Sequence, residues 1–210
     1  MNRAHGVLAP LQSAEVYDPV VDFWAQIPSM PFAQVRVLPI ALLADVLKPI
    51  ATGLASVRGR LCVPQSLYSW PFFVDVGGEI FDPATNSWTQ MLVGMGEGWP
   101  ARKAGTKLSA IVNGNLYALD PSSSSTGCEI KMYDHEEDVW KVVMEKVPIV
   151  DFTESEFPYL LMGFQGNLNV ITKHVNGNVV VLCADISDTA IDLSLPNRDM
   201  FQSIPLDTYR

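Results

Sequence analysis

The stretch Asp75-Val-Gly-Gly-Glu-Ile-Phe81-Asp-Pro-Ala-Thr-Asn-Ser-Trp88-Thr-Gln-Met91 decides the fold, because its pattern occurs three times in this chain of 210 residues. In each copy a short apolar run ends in an aromatic residue, and an Asp, a polar turn and a Trp follow. The Trp always stands seven positions after the aromatic residue, in the pairs Tyr17–Trp24, Phe81–Trp88 and Tyr133–Trp140. Equal spacings of this kind indicate an internal structural repeat.

Each copy has the pattern of a β-hairpin. Apolar and polar residues alternate before the Asp, as Ile80 does with Glu79, and this alternation is typical of a half-buried strand. The Asp can hydrogen-bond its own backbone in a turn, and the Pro that follows it in two copies has no N–H for a strand ladder. A second strand is therefore predicted to begin at the Trp, and we expect the aromatic pair to pack in the core.

A second element recurs between these hairpins. Its copies are Val57-Arg-Gly59-Arg-Leu61, Val112-Asn-Gly114-Asn-Leu116 and Phe164-Gln-Gly166-Asn-Leu168, and the Gly residues follow one another at steps of 55 and 52 positions. A Gly between polar residues and two apolar runs predicts a tight hairpin turn with a positive φ angle. Together the two elements give four antiparallel strands with a period of about 50 residues, the pattern of a kelch blade in a β-propeller.

Several longer stretches are more specific than the blade pattern, because they match one group of kelch-repeat sequences. They are Leu11-Gln-Ser-Ala-Glu-Val-Tyr-Asp-Pro19, Leu47-Lys-Pro-Ile-Ala-Thr-Gly53, Val63-Pro-Gln-Ser-Leu-Tyr-Ser-Trp-Pro-Phe-Phe-Val-Asp-Val-Gly-Gly78, Gly94-Met-Gly-Glu-Gly-Trp-Pro-Ala-Arg102 and Tyr133-Asp134. Through them, most of residues 8–185 resemble the kelch-repeat portion of the plant F-box/kelch-repeat proteins. Two features depart from that pattern: Gly77-Gly78 is predicted to open the third strand of its blade instead of following the second, and the third unit has Asp120-Pro121 in place of a double glycine.

The predicted fold is therefore all-β: a partial kelch-type β-propeller with about three and a half recognisable blades. The blade units are residues 8–30, 51–93, 105–146 and 159–185, and residues 186–210 form an irregular tail that could add one more strand. The resemblance implies a fuller ring of about six blades. We therefore expect the chain to be a C-terminal piece or a truncated product of a longer protein, with closure by four blades as the alternative.

Composition and charge exclude several classes of partner. The net charge of −9 argues against a nucleic-acid or anionic-membrane surface, and the most apolar window, Val35–Ile50, is too short and too charged to span a bilayer. The cysteines, Cys62, Cys128 and Cys183, are odd in number and far apart, which is typical of buried thiols in a reducing compartment. The expected location is intracellular, in the cytoplasm or the nucleus.

The predicted loops place the candidate partner-binding residues. Turns between the first and second and between the third and fourth strands of a blade lie on one face, and the longer connections lie on the other. Those connections are Pro64–Val76, Asp120–Cys128, Gly94–Thr106 and Val147–Pro158. Because loops on a rigid scaffold usually hold binding sites, we expect a partner-recognition rim there. Its candidate residues are Tyr68, Trp70, Phe72, Trp99, Arg102 and Lys103. The alternative is that these aromatic residues fold back over the blade edges as structural plugs.

Catalytic and metal-binding groups are not predicted. The acidic turn His135-Glu-Glu-Asp138 reads as a solvated turn, because no second group of ligands is expected on the same face. The three His residues of the chain are scattered, so they suggest neither a catalytic triad nor a cofactor site. The sequence therefore predicts a protein without enzymatic activity, metal or cofactor.

The resemblance implies a role in protein recognition. It suggests the substrate-recognition propeller of a Skp1–cullin–F-box ubiquitin ligase receptor, with a protein target of unknown identity as partner. No F-box matches in these residues, so docking of a Skp1-type adaptor is expected only through a segment that they do not include. Two alternatives stay open: a copper enzyme of galactose-oxidase type, which shares kelch blades but requires His and Tyr ligands, and a fragment that does not fold stably.

Overall fold

The computed structural model of the chain describes residues 13–31, 49–69, 72–100, 107–124, 127–147, 160–173, 179–186 and 201–205. Within these ranges the chain consists mainly of β-strands, with one short helix, α1, at Val93–Glu97. The strands are β1 (Ala14–Asp18), β2 (Phe23–Ile27), β3 (Ile50–Ala51), β4 (Ala55–Val57), β5 (Arg60–Ser69), β6 (Phe72–Asp82), β7 (Ser87–Gln90), β8 (Ser109–Val112), β9 (Asn115–Ser124), β10 (Gly127–Asp134), β11 (Val139–Val147), β12 (Leu160–Phe164), β13 (Asn167–Lys173), β14 (Val179–Asp185) and β15 (Phe201–Pro205).

The strands form successive antiparallel sheets. The described part of the first sheet is the hairpin β1–β2; the second has the order β3-β5-β6-β7 with β4 also on β5, the third β8 to β11, and the fourth β12 to β15. The first strands of neighbouring sheets touch, since β4 contacts β8 and β8 contacts β12. This arrangement confirms the predicted class, a partial kelch-type β-propeller. The tail supplies β15, which pairs with β14 as the last strand of the fourth sheet.

The repeated aromatic–Trp hairpin is confirmed in all three copies, but the predicted core packing is wrong for the first pair, since Tyr17 is 41% and Trp24 60% exposed. The two aromatic residues of each pair lie directly opposite each other in the strand register. Their ring centroids are 5.1 Å apart in Tyr17–Trp24, 5.1 Å in Phe81–Trp88 and 5.4 Å in Tyr133–Trp140. Tilted rings at this separation are a favourable geometry, worth about 0.5–1.5 kcal/mol beyond the burial of their area.

The turn inside each hairpin also has one design. The carboxylate of the Asp that ends the first strand accepts a hydrogen bond from the backbone N–H two residues further on, at 2.8 Å in the first copy and 2.9 Å in the other two. The last turn residue has a positive φ of about 50° in each case, at Asp22, Asn86 and Asp138. Asn and Asp tolerate this left-handed conformation better than other residues with a side chain, which explains their presence there.

The tight Gly turns are confirmed as well. Each has two central residues with positive φ, at Arg58 (51°) and Gly59 (76°), Asn113 (49°) and Gly114 (79°), and Gln165 (49°) and Gly166 (77°). Two positive φ angles define a two-residue type I′ hairpin turn, whose twist matches that of the flanking strands.

Two predicted loops are wrong. Pro64–Val76 and Asp120–Cys128 belong mostly to strands, because β5 and β6 form one long hairpin and β9 and β10 form another. Pro64 does not end its strand but lies where the register with β6 shifts, between Pro64 and Ser66. A strand can include proline at such a bulge, where no ladder N–H is required. The Pro64 carbonyl still accepts the Thr52 N–H at 2.9 Å.

The double glycine does not open the third strand of its blade, as the sequence suggested, but lies inside β6. Gly77 has φ +85°, which strains any residue with a side chain. A Cβ on Gly78 would lie 2.4 Å from the Val63 carbonyl oxygen, so only glycine allows the two strands to approach this closely. The pair therefore sets the bend of the long hairpin opposite Pro64.

Two further details differ from the expected strand pattern. The first strand of the second sheet is divided into β3 and β4 around Thr52–Leu54. The connection after β7, expected to be a loop, begins with the single helical turn α1, which contacts β6 and β11.

The hydrophobic core lies between the sheets in two clusters. One lies between the second and third sheets and includes Met95, Trp99, Leu116 and Tyr133. The other lies between the third and fourth sheets and includes Tyr117. Leu116, the residue before Tyr117 in β9, belongs to the first cluster. Alternating residues of β9 thus serve two interfaces, which is why this strand is apolar on both faces.

Candidate partner-binding site

The described residues include only part of the predicted rim. Tyr68 lies in β5 and Phe72 in β6, near the end of the long hairpin, where Ser69 pairs with Phe72. Trp70, Arg102 and Lys103 lie outside the described residues. The proposed role of these residues in binding stays a prediction.

Trp99 is a core residue, which fits the alternative interpretation as a structural plug. Its side chain is 1% exposed and its ring centroid lies 5.5 Å from that of Trp140. The Trp99 carbonyl accepts a hydrogen bond from the Lys107 ammonium group. A partner could not reach this indole without separating the second sheet from the third.

The joint between the second and third sheets is centred on Asp138. Its carboxylate accepts the backbone N–H groups of Gly94 at 2.8 Å and Met95 at 2.9 Å, at the start of α1, and the Tyr133 hydroxyl at 2.7 Å. Burial tends to raise the pKa of Asp138, but these three hydrogen bonds outweigh it and hold the pKa below its ordinary value. The Asp138 carboxylate therefore connects a turn of the third sheet to α1, the segment that follows the last strand of the second sheet.

The Trp of each later hairpin bonds the segment that leaves the preceding sheet. The indole N–H of Trp140 donates to the carbonyl of Met95 at 3.1 Å, and that of Trp88 donates to the carbonyl of Pro28 at 2.7 Å. The sequence predicted only that these rings would pack in the core. The signal that could have revealed the bond is the use of Trp in every copy, since Phe would fill the same space without a donor.

A buried lysine joins the same two sheets at another level. The Lys107 side chain has no exposed surface, and its ammonium group lies 3.2 Å from an Asp75 carboxylate oxygen. Asp75 also accepts the Ser66 hydroxyl at 2.7 Å, so the pair is part of a hydrogen-bond network. Burial lowers the pKa of Lys107, and the Asp75 carboxylate opposes that shift. No sequence pattern predicts that Lys107 would be buried.

A cleft of about 460 Å³ opens between the second and third sheets. Residues of two tight turns and of the turn at His135 line it, and so does Met95 from the connection after β7. Its lining residues combine apolar side chains with basic and polar groups: Val57, Arg58, Arg60, Cys62, Ile80, Leu92, Met95, Gly114, Asn115, Leu116, Tyr133 and His135. The volume is within the range of small-ligand and peptide side-chain pockets.

The mouth of the cleft is crossed by two turns. A guanidinium nitrogen of Arg58 lies 3.4 Å from Nδ1 of His135, although the two residues are 77 positions apart. Arg58 can only donate in this contact, because a guanidinium has no acceptor. Arg60 lies beside them and forms an ion pair with Asp82 at 3.0 Å.

The groups inside the cleft favour binding over covalent chemistry. Burial raises the pKa of the Cys62 thiol to about 11, although nearby Arg60 acts in the opposite direction. Burial also raises the pKa of Tyr133, and its bond to Asp138 adds to the effect. At neutral pH neither group is an activated nucleophile.

The described ranges offer little for other kinds of site. They contain no cluster of three or more His, Cys, Asp or Glu residues placed to hold a metal ion. The turn at His135 instead uses Asp134 in an ion pair with Lys141 at 2.7 Å. Among the helical residues described, none forms a segment that is long and apolar enough to cross a membrane.

Comparison with known proteins finds two relatives in Arabidopsis thaliana. F-box/kelch-repeat protein At1g22040 is 62% identical over 194 residues, which are 92% of this chain and 41% of the relative. F-box/kelch-repeat protein At1g30090 is 32% identical over 92 residues, which are 44% of this chain and 19% of the relative. The chain thus spans about two fifths of the length of the first relative. No protein-family model matches the chain.

Proposed function

Because the chain belongs, through its kelch repeats, to the plant F-box/kelch-repeat proteins, we propose that it is a protein-interaction module that recognises a target protein. The observation that most supports this function is the cleft between two sheets, which presents Arg58 beside apolar side chains on a rigid scaffold. The protonated Cys62 thiol and Tyr133 hydroxyl agree with binding without catalysis. Candidates for additional contacts, on the face predicted to hold the longer connections, are Tyr68, Trp70, Phe72, Arg102 and Lys103.

The same proposal extends to a receptor of the F-box type. The relatives carry both F-box and kelch-repeat in their names. In such a protein the kelch part would select the target and the F-box would hold a Skp1-type adaptor of a ubiquitin ligase. The residues described in this chain would then bind a target but not the adaptor. An intracellular location, cytoplasmic or nuclear, fits three cysteines that form no disulfide among the described residues.

Affinity capture tests the interaction function. The tagged chain is incubated with plant extract beside a Trp140→Ala variant, whose joint between sheets is broken, and bound proteins are quantified. We expect at least one protein that binds the original chain saturably, is displaced by untagged chain and is lost with the variant. Recovery of only those proteins that bind both baits equally would contradict the proposal.

A reconstitution experiment tests the ubiquitin-ligase part. The chain alone should form no complex with a purified Skp1-type adaptor in size-exclusion chromatography. An F-box fused before residue 1 should restore that complex and direct ubiquitin transfer to a captured target. Direct binding of the adaptor to the unfused chain would contradict the proposal that only the F-box holds the adaptor.

A further inference from the structure

Among the residues that the structure describes, the cleft presents one cation that internal ion pairs leave available. Arg60 is neutralised by Asp82 at 3.0 Å, whereas no ion pair between described residues includes Arg58. Within the described ranges, Arg58 makes a polar contact with His135, in which a guanidinium nitrogen lies 3.4 Å from Nδ1. A guanidinium has five donors in a planar fork that fits a carboxylate, so most of its donors remain for a ligand.

The position of Arg58 is costly for the turn in which it lies. Its φ is 51°, and the equivalent residues of the other two turns are Asn113 and Gln165, each at 49°. Asn is favoured in this left-handed conformation, and Arg gains nothing from it locally. The turn nevertheless holds the guanidinium at the cleft mouth, a location where a strained residue commonly has a role in binding.

An apolar floor lies beside this cation. Ile80 and Met95 line it from β6 and α1, and Leu92 lines it while 54% exposed. An exposed leucine at the edge of a cleft offers area that a second apolar side chain could cover, worth about 25 cal/mol for each Å² removed from water.

We propose that this cleft binds a short peptide segment in which a carboxylate side chain is followed closely by a large apolar side chain, with Arg58 holding the carboxylate and Leu92 covering the apolar group. This assignment rests on the proposed interaction function and names the class of segment that would be recognised. Polyanions such as nucleic acid or anionic lipid are disfavoured, because Glu136 and Glu137 lie beside His135 and the chain has a net charge of −9. Glu137 is itself paired with Lys141 at 2.9 Å.

A pair of turn variants tests the role of the cation. Arg58→Asn introduces the residue that the third sheet already has at this turn position, so the turn should form and only the guanidinium is lost. Gln165→Asn makes the matching change in the fourth sheet, away from the cleft. A random peptide library displayed on phage is selected on the original chain, and the selected peptides are measured on all three proteins by fluorescence anisotropy.

We expect enrichment of peptides with an Asp or Glu within a few positions of Leu, Ile, Phe or Trp. Arg58→Asn should weaken their binding about tenfold or more, as loss of a charge-assisted hydrogen bond predicts, and Gln165→Asn should leave it unchanged. Replacing the acidic residue of the peptide by its amide should cause a similar loss on the original chain and none on Arg58→Asn. Absence of enrichment, or selected peptides that bind Arg58→Asn equally well, would overturn the proposal.

A second pair of variants tests the apolar contact. Leu92 and Val93 are adjacent and almost equally exposed, at 54% and 55%, but only Leu92 lines the cleft. Leu92→Ser should weaken peptide binding severalfold, whereas Val93→Ser should not. Equal effects of the two changes would show that the cleft does not hold the apolar side chain.

The outcome also separates this site from the broader function. If plant-extract capture succeeds and Arg58→Asn retains the captured protein, the chain is an interaction module that uses another surface, and the cleft assignment is wrong. If the original chain captures no protein that the Trp140→Ala bait lacks, the interaction function itself fails, whatever the peptides show.

Discussion

The first hairpin, β1–β2, and the corresponding hairpin of the third sheet, β10–β11, have the same local design in different surroundings. Their aromatic pairs share register and ring separation, and in both a turn Asp accepts the Tyr hydroxyl, at 2.8 Å from Asp22 and 2.7 Å from Asp138. Yet Tyr17 is 41% exposed, whereas Tyr133 is 7% exposed. The repeated sequence therefore specifies the hairpin, and the neighbouring sheet decides how much of it is buried.

The difference follows from the contacts that cross between sheets. Asp138 binds the start of α1 and Trp140 binds the Met95 carbonyl, both from the segment that leaves the preceding sheet. Within the described part of the chain, Trp24 makes no such hydrogen bond and is 60% exposed. Equal sequence patterns can thus contribute unequally to stability, which mutations at equivalent positions would measure.

The largest effect is expected at the Trp residues. Trp140→Ala removes a partly buried ring, leaves the Met95 carbonyl without its donor and should lower the free energy of unfolding by about 3 kcal/mol or more. Trp24→Ala at the equivalent position should lower it by about 1 kcal/mol or less, because its ring is already largely in water. Urea denaturation followed by circular dichroism measures both, and equal losses would break the comparison.

The next effect concerns the buried ion pair between sheets. Lys107→Met leaves the Asp75 carboxylate and the Trp99 carbonyl without the ammonium group and should destabilise the chain by about 2–3 kcal/mol, somewhat below the usual range because Asp75 is partly exposed. Lys141→Met, which breaks an ion pair nearer the surface, should cost much less, because water and salt screen exposed charges. The same denaturation experiment compares them, and a larger loss at Lys141 would be inconsistent with the burial of Lys107.

A smaller effect is expected where the Asp turns differ. Asp138→Gly and Asp22→Gly both place glycine at a positive φ, so their backbone effects should match. Only the first removes the acceptor of the α1 amides, and its extra destabilisation should be about 1–2 kcal/mol. Thermal denaturation of the two variants provides the test. Melting temperatures that fall equally would mean that the bonds to α1 do not contribute.

The smallest effect is the pH dependence of this difference. The pKa of Asp138 in the folded chain is below its ordinary value, so its stabilisation is present above about pH 4, the unfolded pKa, and is lost as the pH falls through the folded pKa. The stability gap between the original chain and Asp138→Gly should therefore narrow between pH 6 and pH 3. Urea midpoints at the two pH values measure this stability gap. A gap that widens on acidification would mean that the pKa of Asp138 is raised in the folded chain and not lowered.

The local parts of the fold were predictable because they depend on neighbours in sequence. The aromatic–Trp spacing specified three hairpins, and Gly59, Gly114 and Gly166 marked turns whose φ angles are positive as expected. The long hairpins were missed, because Pro64–Val76 and Asp120–Cys128 were assigned to loops, whereas Pro64 lies within a strand, at a register shift opposite glycine.

The candidate site was much less predictable. Arg58 and His135 meet from positions 77 residues apart, and no local pattern indicates that two different turns will share a cleft. Trp99 illustrates the reverse problem, since an aromatic residue in a Gly-rich connection resembles a binding residue until its burial against Trp140 is seen. Contacts between sheets depend on how blades stack, which a repeat pattern specifies only in outline.

The indole bonds between sheets have a consequence for how the connecting segments can diverge. Trp88 bonds the carbonyl of a proline four residues after Trp24, and Trp140 bonds the carbonyl of a methionine seven residues after Trp88. A main-chain oxygen makes no demand on residue type, and the two acceptors differ in both identity and spacing. Linkers between blades are therefore free to drift in composition and length during evolution, as long as the tryptophan remains and one carbonyl comes within its reach.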